Sequence, residues 1–131
     1  MTNNELSWDK LLQIRTVGRD DTNSDEYRYP YEPTPYCVLE RLVDYGLVGG
    51  EDVVLDYGCG KGRVEFFLSH RTGAKTIGIE YDARIYDQAL ENAKTAVSGE
   101  KPPNIQTPPK SFLYHTPFSL KNLSLSQYQV S

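Results

Sequence analysis

Val53-Val54-Leu55-Asp56-Tyr57-Gly58-Cys59-Gly60-Lys61-Gly62 decides the fold of this chain. Three apolar residues in a row suit a strand buried on both faces of a sheet. Glycines at alternate positions then allow a sharp turn and bring backbone close to a ligand. An acidic residue, Asp56, stands where the strand stops. Val64, Phe67 and Leu68 continue as a helix that ends near Gly73. Thr76-Ile77-Gly78-Ile79-Glu80 reads as a second short buried strand, again closed by an acid. Ile85, Ala89, Leu90, Ala93 and Val97 mark a second amphipathic helix, with Asp82 placed to cap it. Residues 53–97 thus read strand, glycine turn, helix, strand, helix, the first half of a parallel α/β sheet with right-handed crossovers.

Upstream, Trp8, Leu11, Leu12 and Arg15 lie at helical spacing, so a short helix is expected within residues 6–18, with Ser7 as its cap. Residues 19–33 carry a charge cluster, two prolines and Tyr27, Tyr29 and Tyr31, and read as a loop. Those tyrosines suit either a surface strip or a wall over a ligand site, since aromatic rings are good platforms for flat ligands. Thr34 suits an N-cap and Pro35 the first turn of a helix. Val38/Leu42 and Leu39/Val43 give that helix an apolar face, and Gly46 fits the position just past its end. Gly49-Gly50-Glu51-Asp52 is a turn into the first strand.

Downstream the character changes. All 18 acidic residues lie at or before Glu100, and five of the eight prolines fall after it. Asn104-Ile105-Gln106 could form a third strand, but the flanking proline pairs disfavour a central one. Residues 107–131 show neither a period of two nor one of 3.6. There is no internal repeat.

The 131 residues form one domain at most. The hydrophobic fraction is 38%, and mean hydropathy is -0.57, which is polar for a globular domain. A net charge of -4 does not favour a broad nucleic-acid footprint. Cys37 and Cys59 do not make a disulfide framework and are read as reduced thiols of a cytoplasmic protein. No apolar run approaches a membrane span, and the N-terminus lacks the pattern of a signal peptide. His70 is expected near a helix end, where a partial positive charge is favourable, and His115 has no partner spacing, so no metal site is expected. Nothing marks Cys59 as a nucleophile, and Lys61 and Arg63 are expected to be solvated.

The glycine spacing Gly58-x-Gly60-x-Gly62 differs from the dinucleotide fingerprint, and Lys61-Gly62 departs from a phosphate loop. A strand, glycine turn and helix should leave backbone N–H groups free at the carboxyl end of the strand, where open α/β sheets bind ligands. Asp56 would repel a pyrophosphate but could hold a cationic or polar group. Glu80, at the end of the neighbouring strand, could accept both hydroxyls of a ribose. The combination suits a ligand with an adenosine and a cationic amino-acid end.

Asp56 to Gly62 resembles the first motif of class I S-adenosylmethionine-dependent methyltransferases, and Glu80 resembles their ribose-binding acid. The resemblance covers roughly residues 30–97. It implies a Rossmann-like parallel sheet with flanking helices and S-adenosyl-L-methionine as cofactor. It implies that Asp56 orients the cofactor's amino-acid end, that Gly58, Cys59, Gly60 and Gly62 pass beside it, and that Glu80 binds the ribose. Tyr81 and Asp82 fall where the family lines the adenine pocket. Tyr31-Glu32-Pro33-Thr34-Pro35-Tyr36 is similar to a Pro-Thr-Pro segment that closes the cofactor site in some members, which adds Thr34 to the cofactor residues.

The family's sheet has seven strands, and this chain has room for about three before its character changes, so the fold is expected to be incomplete. Tyr114-His115-Thr116-Pro117-Phe118 only faintly resembles the Asn-Pro-Pro-aromatic loop of some members and lacks the leading Asn. The expected organisation is an N-terminal helix and tyrosine-rich loop (1–33), a cofactor-binding half-domain (34–106) and an atypical tail (107–131). A domain cut short, by an out-of-frame ending for example, would look like this. Its expected function is a methyltransferase domain of reduced or no activity, with acceptor and catalytic residues unknown. The alternatives are a module that holds the cofactor or pairs through an open sheet edge, and a dinucleotide-binding oxidoreductase domain, which the glycine spacing disfavours.

Overall fold

A computed structural model describes residues 3–18 and 31–108. Helix α1 spans Asn3–Leu12, α2 Tyr36–Asp44, α3 Arg63–Thr72 and α4 Ala83–Thr95. Strands β1 (Val53–Tyr57), β2 (Lys75–Ile79) and β3 (Asn104–Gln106) form a parallel sheet in the order β1-β2-β3. Val53 pairs with Lys75 and Tyr57 with Ile79, so β1 and β2 end level. Their acids, Asp56 and Glu80, therefore arrive at the same edge of the sheet. The described sheet is α/β and incomplete, as the sequence led one to expect.

The elements obey local chemistry with several departures. Asp82 caps α4, its Oδ1 accepting from the N–H groups of Arg84 and Ile85. Gly73 ends α3 in the left-handed conformation at φ 75°. Helix α1 starts earlier than expected and stops at Gln13, which is left-handed at φ 60°. Ser7 consequently lies inside α1 and caps nothing at its start. Thr34 does not cap α2 either, because Pro35 occupies the N-cap position and no capping side chain follows from it. Instead Glu5 of α1 accepts from the Tyr36 N–H at 3.0 Å, so the first turn of α2 is satisfied by a side chain 31 residues away.

One core joins α1, α2 and α3. It holds Leu12, Ile14, Tyr36, Leu39, Phe66, Phe67 and Leu68, with Trp8, Leu42, Val43 and Val64 against it. Trp8 meets Phe67 edge to face with ring centroids 4.8 Å apart. Val38 lies outside this core and is exposed, which narrows the expected apolar face of α2. A smaller cluster packs Cys59, Ala89 and Ile105 with Tyr86 and Leu90. On α4, Ala93 is exposed and Val97 lies beyond the helix end. The inward stripe is Ile85, Ala89 and Asn92.

Asn92 ties the N-terminal segment to α4. Its amide oxygen accepts from the Arg15 N–H at 2.8 Å, and its Nδ2 donates to the Arg15 carbonyl at 3.1 Å and the Lys61 carbonyl at 2.9 Å. The Thr95 hydroxyl donates to the Gln13 carbonyl, and the Val97 N–H donates to the Leu12 carbonyl. Burial of β1 falls short of expectation. Val53 is 55% exposed and the rest of β1 is half-buried, because β1 is an edge strand among the described residues. β3 lies at the opposite edge and is not central, as its flanking prolines led one to expect.

Candidate functional site

The glycine turn lies over the end of β2. The N–H groups of Gly58 and Cys59 both donate to the Ile79 carbonyl, at 2.7 and 3.0 Å. The Gly60 N–H donates to Glu80 Oε1 at 2.9 Å, and the Gly62 N–H to the Cys59 carbonyl at 3.1 Å. The N–H groups expected to stand free for a ligand are thus used inside the protein. A turn whose donors are already engaged cannot cradle a phosphate. This is a structural reason to set aside a dinucleotide or phosphate-loop reading.

Glu80 is the hinge of the site. It is 6% exposed. Oε1 accepts from Gly60 and Oε2 from the Asp82 N–H at 2.9 Å. Burial pushes its carboxyl above the ordinary carboxylate range, and the backbone donors of Asp82, Gly60 and Tyr81 pull the other way. A carboxylate offers about four acceptor positions, so Glu80 keeps acceptor capacity for a further donor such as a ribose hydroxyl. Tyr81 follows, partly exposed at the rim, and Asp82 is spent capping α4.

Gly60 and Gly62 are required by geometry. Gly60 has φ 60°, and a Cβ there would lie 2.5 Å from Cε1 of Tyr31. Gly62 has φ 92°, and a Cβ would meet the Phe66 ring at 2.6 Å. The Tyr31 ring therefore lies directly on the turn. Its hydroxyl donates to the Thr16 carbonyl at 2.6 Å, and Lys61 Nζ stands 4.6 Å from its ring centroid. Burial raises the Tyr31 hydroxyl well above the usual phenol range, so it stays a neutral donor. Of the three loop tyrosines, Tyr31 is a wall of the turn; Tyr27 and Tyr29 lie outside the described residues. So do residues 109–131, with the Tyr114–Phe118 stretch and His115.

Arg63, expected to be solvated, is instead the buried junction beneath this wall at 2% exposure. Its Nε donates to Thr16 Oγ1 at 2.7 Å, and its Nη1 bonds both Glu5 and the Thr34 carbonyl. Its Nη2 approaches Asp9 Oδ1 at 3.9 Å, and its guanidinium carbon lies 4.1 Å from the Tyr36 ring centroid. Asp9 in turn accepts from the Thr16 N–H and hydroxyl, the Val17 N–H and the Tyr36 hydroxyl. The Thr34 side chain itself is exposed, and its backbone is fixed by Arg63.

Asp56 is half-buried at the end of β1. Beside it lies Glu65 of α3, which the sequence reading passed over and which is fully buried. The signal was present: an acid three residues after Gly62, directly before Phe66-Phe67-Leu68. Cys59 is buried, and burial raises its thiol far above the ordinary range, so it is a packing group and not a nucleophile. Among the described residues no group of His, Cys, Asp and Glu could hold a metal, and no helix is long and apolar enough to cross a membrane.

No family model matches the chain. It is 35% identical over 72 residues to a protein-lysine N-methyltransferase of Saccharolobus islandicus (strain REY15A), covering 53% of this chain and 45% of that protein. It is 39% identical over 56 residues to the H3 lysine-79 specific histone-lysine N-methyltransferase of Dictyostelium discoideum, covering 43% of this chain and 3% of that protein. The chain thus spans less than half the length of the curated relatives it matches. Among solved structures, an RNA methyltransferase from Salinibacter ruber in complex with S-adenosyl-L-homocysteine matches with a TM-score of 0.53 and 27% identity, over 74% of this chain and 56% of that one. The fold is class I S-adenosylmethionine-dependent methyltransferase-like, over part of that fold.

Proposed function

We propose that this chain binds S-adenosylmethionine at the glycine turn and is the cofactor-binding part of a methyl-transferring enzyme. The observation that carries the reading is the level ending of β1 and β2. It brings Asp56, paired with Gly78, and Glu80, two residues further on, to the same end of the sheet, with the turn fastened there through the Gly60–Glu80 hydrogen bond. The residues fit the cofactor. Glu80 has acceptor capacity for a ribose hydroxyl and Asp56 for an ammonium, and the N–H groups of Gly58, Cys59, Gly60 and Gly62 are engaged inside the protein instead of facing an anion. Gly58, Cys59, Gly60 and Gly62 would line its amino-acid arm, Tyr31 and Thr34 would close over it, and Tyr81 would flank the adenine. When bound, the cofactor supplies a methyl group on a sulfonium.

Methyl transfer needs an acceptor held in line with the methyl and sulfur. The described sheet has three strands, and on that half-sheet the chain alone should bind cofactor and turn over little. The acceptor class we favour is a lysine-bearing basic peptide. Both curated relatives are named for lysine, and a net charge of -4 suits a basic partner better than RNA. The free Cys37 and Cys59 suit a reducing, cytoplasmic setting. We take residues 34–106 as the cofactor unit, braced by α1.

Calorimetric titration with S-adenosylhomocysteine and with NAD tests the cofactor assignment. The first should bind and the second should not. Asp56→Asn should weaken S-adenosylhomocysteine at least about tenfold, the worth of one charge-assisted bond. Unchanged affinity in that variant, or preferential NAD binding, would sink the reading. Transfer of labelled methyl to a lysine-rich peptide but not to RNA would support the acceptor class. A second reading is a module that pairs through its sheet edge without catalysis, favoured by the position of β1 at the edge of the described sheet. Light scattering that shows only monomer would remove it.

A further inference from the structure

Glu65 stands in the first turn of α3, where an acid usually serves as a cap or faces the helix dipole from solvent. It does neither. The N–H it would reach back to, that of Gly62, already donates to the Cys59 carbonyl. Glu65 is 0% exposed, and neither carboxyl oxygen accepts a hydrogen bond from another residue; its own backbone N–H is the donor that lies near. The pocket is built to contain it. At Gly78 of β2 a Cβ would fall 2.8 Å from Cys59 Cβ and Sγ and 3.1 Å from Glu65 Cδ, so a glycine there makes the room. The titratable groups that face Glu65 are Asp56 from β1, Cys59 from the turn, Glu80 from the end of β2 and Tyr31 from the segment before α2.

We propose that Glu65 is a positioning residue for the cofactor site, a neutral carboxylic acid that donates its proton to the Asp56 carboxylate and fixes that carboxylate for the cofactor's ammonium. The inference rests on the cofactor reading above. An ionised carboxyl in a pocket that offers it no donor but its own backbone N–H is costlier than a neutral one. Once protonated, Glu65 has one O–H to place, and Asp56 is the acceptor beside it. Of the pair, Glu65 keeps the proton because it is fully buried and Asp56 is half-exposed. Its carboxyl is raised well above the ordinary range, first by burial and then by Asp56. A single O–H···O⁻ bond occupies one Asp56 oxygen and leaves the other for a ligand.

Infrared spectroscopy of the intact chain at neutral pH should show the carbonyl band of a buried protonated carboxyl, and Glu65→Gln should lack it. In calorimetry Glu65→Gln, whose amide still donates to Asp56, should bind S-adenosylhomocysteine within about twofold of the unsubstituted chain. Glu65→Leu keeps an apolar filling but has no donor, and should bind about tenfold more weakly. A role in packing alone would not separate these two variants by their donor. If Glu65→Leu does not fold, the band and its loss in Glu65→Gln still decide. Binding without the band, or equal binding by both variants, overturns the proposal alone. No S-adenosylhomocysteine binding by the unsubstituted chain, whatever the band shows, overturns the cofactor reading and the proposal together.

Discussion

Replacing Arg63 by Met tests the claim that α1 is part of the site's framework. Methionine keeps the length and the apolar stem and removes the charge and every donor. Four polar connections go with it, to Thr16, to the Thr34 carbonyl, to Glu5 and to Asp9, and so does the contact of the guanidinium with the Tyr36 ring. Removing one partner of a buried ion pair costs about 3–5 kcal/mol. The lower end applies here. The Glu5 side chain is 19% exposed and can rehydrate, and Asp9 keeps its four remaining hydrogen bonds. A loss of about 3 kcal/mol lowers Tm by about 9–15 °C in a chain of this size. Thermal and urea unfolding followed by circular dichroism measure it. A companion variant, Asp9→Asn, removes the charge that Arg63 faces. The double variant should therefore be more stable than the sum of the single losses predicts, by at least about 1 kcal/mol. A Tm drop under about 4 °C, or additivity within about 0.5 kcal/mol, would show that the junction is not coupled as described.

Gly60→Ala forces a β-carbon into left-handed backbone and against a Tyr31 ring whose hydroxyl is anchored on Thr16. The backbone term alone costs about 1–2 kcal/mol. Stability should fall by at least that amount, and tyrosine fluorescence should report the displaced ring; an unchanged unfolding midpoint would refute the contact. The pH dependence has a definite sign. The folded chain holds the Glu65 proton more tightly than the unfolded chain, so the stability this group contributes is fully present below the ordinary carboxylate value of 4.5. It then falls as pH rises towards the folded value, by about 1.4 kcal/mol per pH unit. Glu80, also raised, adds to the same trend. Glu65→Gln should therefore melt at a higher temperature than the unsubstituted chain at neutral pH, by a margin that widens from pH 4.5 upward. A margin independent of pH would refute the assignment.

The parallel sheet and its helices were legible because their signals are local. Val53 to Gly62 carries strand and turn within ten residues, and Gly73 and Asp82 mark helix ends by their own backbone chemistry. Asp56 and Glu80 stood out because each closes an apolar run. Arg63 was misread because its partners Glu5, Thr16 and Thr34 lie far off in sequence, and next to Lys61 it looks like one of two solvated cations. Thr34 looked like a cap because no local pattern announces Glu5 in that role. The expectation of free N–H groups failed for a related reason: the acceptors Ile79 and Glu80 become neighbours of the turn only once β1 and β2 pair. Glu65 and Asn92 were legible in principle, as polar residues on stripes that are otherwise apolar.

The stitching of residues 12–16 to the far end of α4 has a consequence for synthesis. Leu12 and Ile14 leave the ribosome early, yet the groups that hold their segment, Asn92, Thr95 and Val97, are polymerised about eighty residues later. Until then residues 12–16 have only their contacts with α2 and α3, and their backbone groups that will pair with α4 face solvent. Closure of that long-range contact is a late step that waits for translation through α4. A nascent chain arrested before Asn92 should leave residues 12–16 more open to protease than one arrested well beyond Val97.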